Sequence, residues 1–154
     1  MLEARLSGVV PFTATLAGAR IDASQGRTLI TREAGELRRQ PPPPLHLVGA
    51  RPAVWDGRYE ITVPDEGWTV VPALGRLAQL SDADRAVAAR SPPAARGALP
   101  VLIRDDRTCP VLAWRSARVL NLAPRRLSLA LGETTQETDL KRTVHGETSP
   151  SDLF

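Results

Sequence analysis

The sequence predicts an α+β fold dominated by β-structure, with hairpins, one main short helix, and two small units joined by a proline-rich connector. Three observations carry this expectation. Short stretches in which apolar and polar residues alternate recur at 12–33, 59–63 and 127–131, the period of half-buried strands. Ser81 to Arg90 alone carries clear helix start and stop signals. Between these regions Pro41 to Pro44 form an unbroken run, in which no residue can donate a backbone N–H and each disfavours helix in its predecessor. The division that follows is a hairpin unit at 1–40, a connector at 41–50, an α+β unit at 51–131, and a disordered polar tail at 132–154.

Taken in order, Phe12, Ala14 and Leu16 alternate with threonines, and then Ala17, Ala19 and Ile21 take up the opposite phase. A phase change beside Gly18 predicts a β-bulge. Ser24-Gln25-Gly26 supplies a turn, and Arg27 to Thr31 returns as the second strand. Tyr59, Ile61 and Val63 alternate with Glu60 and Thr62, and Asp65-Glu66-Gly67 turns the chain towards Trp68 to Val71 as the expected pairing partner. Ser81 is a suitable cap for the helix, Asp82 and Asp84 suit its positive end, and Ser91-Pro92-Pro93 stops it. Pro93 can open a further helical turn through Arg96. Val101 to Ile103 and Val111 to Trp114 flank 105–108 as a second hairpin, and Leu127, Leu129 and Leu131 predict a last strand.

A chain of 154 residues is long enough to bury a core, and with aromatics at only 4% that core must rely on Leu, Val, Ile and Ala. All of the 20 basic residues except Lys141 are arginine, and the formal charge is +3. Arginine forks suit phosphate and stack on bases, which is compatible with a nucleic-acid partner, although GC-rich coding produces the same Ala, Arg and Pro enrichment. The lone Cys109 excludes an intrachain disulfide. No apolar run approaches a membrane span, and Met1 to Leu6 does not open a signal peptide, so a cytoplasmic protein without membrane association is expected.

The search for chemistry is mostly exclusion. Asp65-Glu66 and Asp105-Asp106 are adjacent carboxylates, which point apart and do not converge across a cleft as an acid–base pair must. His46 and His145 have no partner at metal-ligand spacing. No phosphate-binding glycine loop or nucleophile elbow is present. No catalytic residue, metal site or cofactor site is therefore expected in this chain. Asp56-Gly57 suits a type I′ turn, which leaves Arg58 either to reach a phosphate or to pair with Asp56. Arg115, Arg118, Arg125 and Arg126, near Trp114 and Asn121, can track an RNA backbone or simply solvate a loop edge.

Three runs, Phe12 to Arg20 with Leu29 to Ala34, Val54 to Tyr59, and Pro93 to Leu102 with Val111 to Ala113, together resemble the C-terminal part of the tRNA(Ile)-lysidine synthetases of the alphaproteobacterial type. Phe12 to Arg20 with Leu29 to Ala34 resembles the family's F-x-L-x-G-x-x-V … V-x-R-E hairpin. Val54 to Tyr59 resembles W-D-G-R-F, and Pro93 to Leu102 with Val111 to Ala113 resembles P-x-x-R-x-x-L-P-x-L … V-A-V. The resemblance implies a region that helps bind and position tRNA. In the family an N-terminal ATP-pyrophosphatase-type domain adenylates the wobble cytidine, which lysine then attacks to form lysidine. The Ser-Gly-Gly-x-Asp-Ser loop of that domain is not in this sequence, so no ATP-binding or catalytic residue carries over, and ATP is expected only through a separate or missing catalytic domain. Ala94 stands where an aromatic often follows the proline of the third motif. The expected phosphate contacts are Arg58, Arg96, Arg115, Arg118, Arg125 and Arg126. The alternative is a structural or protein-interaction fragment with no independent activity.

Overall fold

In the computed structural model of the protein, residues 10–24, 26–104, 109–130 and 132 are described. The expectations for Met1 to Leu6, for the centre of the 24–26 turn, for 105–108, for Leu131 and for the tail beyond 132 lie outside them. Among the described residues ten short strands form three antiparallel sheets with a few short helices, the β-dominated α+β arrangement that the alternation predicts.

The first sheet is a meander of β1 (Phe12–Leu16), β2 (Ala19–Ser24) and β3 (Arg27–Arg32). The expected bulge is a turn. Leu16 faces Ala19, and the two residues between them, Ala17 and Gly18, have φ of 48° and 78°. Two residues with positive φ make the I′-type turn that matches strand twist, and a two-residue turn reverses the chain just where the phase changes. A single hairpin therefore becomes three strands.

Helix α1 (Ala34–Arg39) follows, capped by the Glu33 carboxylate, which accepts hydrogen bonds from the Gly35 and Glu36 N–H groups. Those two bonds hold the Glu33 carboxyl below its usual range. The proline run then leads into β4 (Leu45–Leu47), so part of the segment read as a connector is a strand. The run itself is anchored where it can be: Pro43 has no N–H, but its carbonyl accepts from the Trp55 indole at 3.1 Å.

The second sheet has the order β10-β6-β5, from β5 (Ala53–Trp55), β6 (Tyr59–Thr62) and β10 (Arg118–Asn121). The third has the order β4-β7-β8-β9, with β7 (Trp68–Pro72), β8 (Pro100–Arg104) and β9 (Val111–Leu112). The expected pairing of Tyr59–Val63 with Trp68–Val71 does not occur: β6 pairs with β5 and β10, whereas β7 pairs with β4 and β8. The 65–67 turn thus carries the chain from one sheet to the other. The burial of β7 explains this, since Val70 and Val71 are both buried and belong to different apolar clusters. A strand covered on both sides needs a central position in its own sheet.

One cluster gathers Trp55, Tyr59, Ile61, Trp68, Val70 and Leu102 where the second and third sheets meet. The other gathers Val71, Val101, Leu112, Leu80 and Ala88 under α2 (Asp82–Ala88). The Ser81 hydroxyl caps α2 by accepting from the Asp84 N–H at 3.1 Å, and α3 (Pro93–Arg96) begins at its proline, both as the sequence predicts. The β8–β9 pairing also follows the prediction, but Trp114 enters the short helix α4 (Ala113–Ser116).

The last expected strand is wrong. Arg118–Asn121 is the strand, and Leu127 and Leu129 lie in α5 (Ala123–Ala130). Asn121 ends the strand by accepting from the Ala123 N–H at 3.0 Å through its side chain, and Pro124 sits in the first turn of the helix, where its missing N–H costs nothing.

Candidate nucleic-acid interface

The Trp55–Arg58 turn is the centre of the site. Asp56 and Gly57 have φ of 51° and 64°, and the Arg58 N–H donates to the Trp55 carbonyl at 3.2 Å, so the I′ reading of this turn holds. The conformation turns the Asp56 carboxylate inward, with its side chain only 6% exposed. Two guanidinium groups meet it. Arg32, at the end of the meander, donates to Oδ1 at 3.0 Å, and Arg58 donates to Oδ2 through Nε at 2.9 Å. Arg58 also donates to the Ala98 carbonyl at 2.9 Å and lies 5.1 Å from the Tyr59 ring centre. A carboxylate between two arginines leaves surplus positive charge, and Arg126 adds to it. A Cβ placed on Gly57 would lie 3.2 Å from an Arg126 guanidinium nitrogen, so that side chain lies across the turn.

Beside this cluster opens a cleft of about 580 Å³. Leu29 to Arg32 of β3, Ala95 of α3, Pro124 and Leu127 of α5, Asn121, Arg58 and Tyr59 line it. Tyr59 is held between Trp55, with ring centres 6.4 Å apart, and the edge of Trp114 at 5.7 Å. Burial pushes its phenol above the usual tyrosine value, partly countered by Arg58. The Thr31 hydroxyl and the Arg32 Nε are buried with no hydrogen-bond partner among the described residues.

The six arginines expected to contact phosphate fall into three groups. Arg58 and Arg126 come together at the Asp56-Gly57 turn, with Arg125 on the same helix as Arg126. Arg96 and Arg115 are engaged elsewhere. Arg96 donates to the Ser91 and Ala89 carbonyls at 3.0 Å each, joining α3 to the end of α2. Arg115 reaches the fully buried Asp84 at 3.5 Å. Arg118 is exposed on the strand β10. Of the alternatives left open for Arg58, the structure shows the ion pair with Asp56.

The expected set omits Arg32, Thr31 and Asn121. Arg32 had a signal, because it falls in the Leu29 to Ala34 run that resembles the family hairpin; its place beside Asp56 depends on a contact 24 residues away. His46 lies on β4, and its Nδ1 is 2.8 Å from the Thr69 hydroxyl. Among the described residues no group of three His, Cys, Asp or Glu side chains is placed to hold a metal, and no helix is long and apolar enough to cross a membrane.

No family model matches the chain, and no solved structure matches it. Among curated proteins it is similar to the tRNA(Ile)-lysidine synthase of Caulobacter vibrioides, with 39% identity over 146 residues. The match covers 89% of this chain and 36% of that protein, so the chain spans about a third of the length of its relative. The resemblance carried by the three sequence runs thus extends along nearly the whole chain, which is similar to one portion of that tRNA(Ile)-lysidine synthase.

Proposed function

We propose that this chain is the tRNA-recognition portion of a lysidine-forming synthetase. It binds and positions the tRNA, while ATP-dependent modification of the wobble cytidine is carried by a catalytic domain outside these residues. The observation that carries the reading is the similarity to a tRNA(Ile)-lysidine synthase along 89% of the chain. The arginines support it. Arg118, Arg125 and Arg126 make no ion pair among the described residues, and Arg118 and Arg126 are exposed, which leaves their guanidinium groups available for phosphate. Arg58 contributes through the surplus charge around Asp56. Arg96 and Arg115, tied to carbonyls and to Asp84, act mainly by holding their elements in place. A protein partner is the alternative reading, favoured by the exposed apolar side chains of Leu16 and Ile30 on the meander.

The test is binding of the purified chain to an isoleucine tRNA bearing the modifiable cytidine, and to an unrelated tRNA, across a salt series. Selective binding that weakens steeply with salt is the expected result. Changing Arg118, Arg125 and Arg126 to Glu together should flatten the slope by about 0.7 to 0.9 for each phosphate that is no longer neutralised. Weak binding, equal for both tRNAs and unmoved by these changes, overturns the reading in favour of a protein-interaction module.

A further inference from the structure

We infer that the cleft between the meander and α5 receives one unstacked nucleotide of RNA, its base against the apolar walls and its phosphate towards the Arg32–Asp56–Arg58 cluster. The inference rests on the RNA-binding reading and adds which part of the RNA is held. Its size is the first argument, since a cleft of about 580 Å³ takes a single nucleotide with room for water but does not admit a duplex. The walls are the second. Ile30 is 62% exposed and Leu127 56% exposed, and both line the cleft, so apolar surface is presented where a base could cover it. The third is charge and hydrogen bonding at one end. Arg32 and Arg58 share a single carboxylate, and Arg126 lies across the adjoining Gly57, which leaves a positive surplus suited to a phosphate. Asn121 stands at the wall with its carbonyl oxygen bound to the Ala123 N–H, so its amide N–H groups remain to meet a base edge.

The shared chemistry, a base with a phosphate, could also come from a free mononucleotide, so the experiment separates the two. Full-length chain is titrated with a labelled RNA hairpin that is blunt, with the same hairpin carrying a short single-stranded 3′ overhang, and with adenosine monophosphate alone. The overhang should strengthen binding by about tenfold, the scale of one base removed from water and held. L127E, at an exposed position in the cleft wall beside Arg126, should abolish that preference, read as the ratio of overhanging to blunt affinity. V54E, at an exposed apolar position outside the cleft, should change neither, and unchanged circular dichroism shows that both variants fold. Equal binding of blunt and overhanging hairpins overturns the inference and leaves general RNA recognition standing. A preference that survives both L127E and I30E also overturns it, by moving the overhang elsewhere. Adenosine monophosphate binding that is lost in L127E, without an overhang preference, reassigns the cleft to a free nucleotide. Absence of binding to either hairpin defeats this inference and the function it rests on together.

Discussion

The meander of residues 12–32 and the paired sheets of residues 45–121 are built from the same kind of short antiparallel strand, yet they are held by different forces. In the meander Ile21 is the one buried strand residue, while Leu16 and Ile30 stay exposed. Its side-chain contacts are polar: Arg20 pairs with Asp22 at 2.8 Å, and Asp22 accepts from the Thr13 hydroxyl at 2.7 Å. In the paired sheets Ile61, Val70, Val101 and Leu102 are completely buried, and the strands carry apolar residues on both faces. The first region depends on backbone pairing, ion pairs and its attachment through Arg32 to Asp56. The second depends on apolar burial. A region of the first kind can present a surface at little cost, since few of its side chains are committed to a core.

The largest effect should come from the paired sheets. Trp55→Ala removes a 2% exposed indole from the main cluster, together with its bond to Pro43, and should cost about 3–5 kcal/mol in urea unfolding. Asp56→Asn tests the link between the regions. It tolerates the positive φ but leaves Arg32 and Arg58 without their carboxylate. A loss of about 2 kcal/mol is expected, below the cost for a fully buried pair because both arginines remain partly exposed, with increased proteolysis near residue 32 as the local readout. Ser81→Ala removes the cap of α2 and should cost about 1 kcal/mol by the same unfolding measurement.

A smaller effect concerns pH within the meander. The bond from Arg20, and then that from Thr13, lowers the Asp22 carboxyl below its ordinary value of 3.8. A group lowered on folding stabilises above its unfolded value, and that contribution is lost as pH falls through the folded one. Carboxyl titration by NMR should place Asp22 below 3.8 in the native chain and return it towards 3.8 in Arg20→Gln. Ile30→Thr should be the mildest change, within about 0.5 kcal/mol, because the side chain is already 62% exposed. A loss of several kcal/mol at Ile30 would break the comparison, since it would mean that this face of the meander is part of a core.

Local signals in the sequence were legible wherever the decisive contact was also local. The Asp56-Gly57 turn, the Ser81 cap and the Pro93 helix start each depend on a few neighbouring residues, and each stands as read. Strand partners were not legible in the same way. Val70 and Val71 announce a strand, but which strand lies beside it is settled by two apolar clusters assembled from distant residues. Near residue 130 Leu127 and Leu129 alternate like a strand, and only the Asn121 side-chain turn and Pro124 in the first helical turn reveal a helix. The site divides likewise. Its arginine content and the motif at 54–59 were visible, whereas the meeting of Arg32 with Arg58, and the cleft beside them, exist only once the meander is docked.

The placement of the tryptophans has a practical consequence for spectroscopy. Trp55, Trp68 and Trp114 all belong to or pack against the same apolar cluster, along with the sole tyrosine, Tyr59, while the meander's only aromatic ring is that of Phe12. Intrinsic fluorescence and near-ultraviolet dichroism therefore report chiefly on the packing of the paired sheets. Far-ultraviolet dichroism registers the strands of both. A melting curve followed in the two ways will coincide if the regions unfold together, and will separate if the meander detaches first while the indoles remain packed.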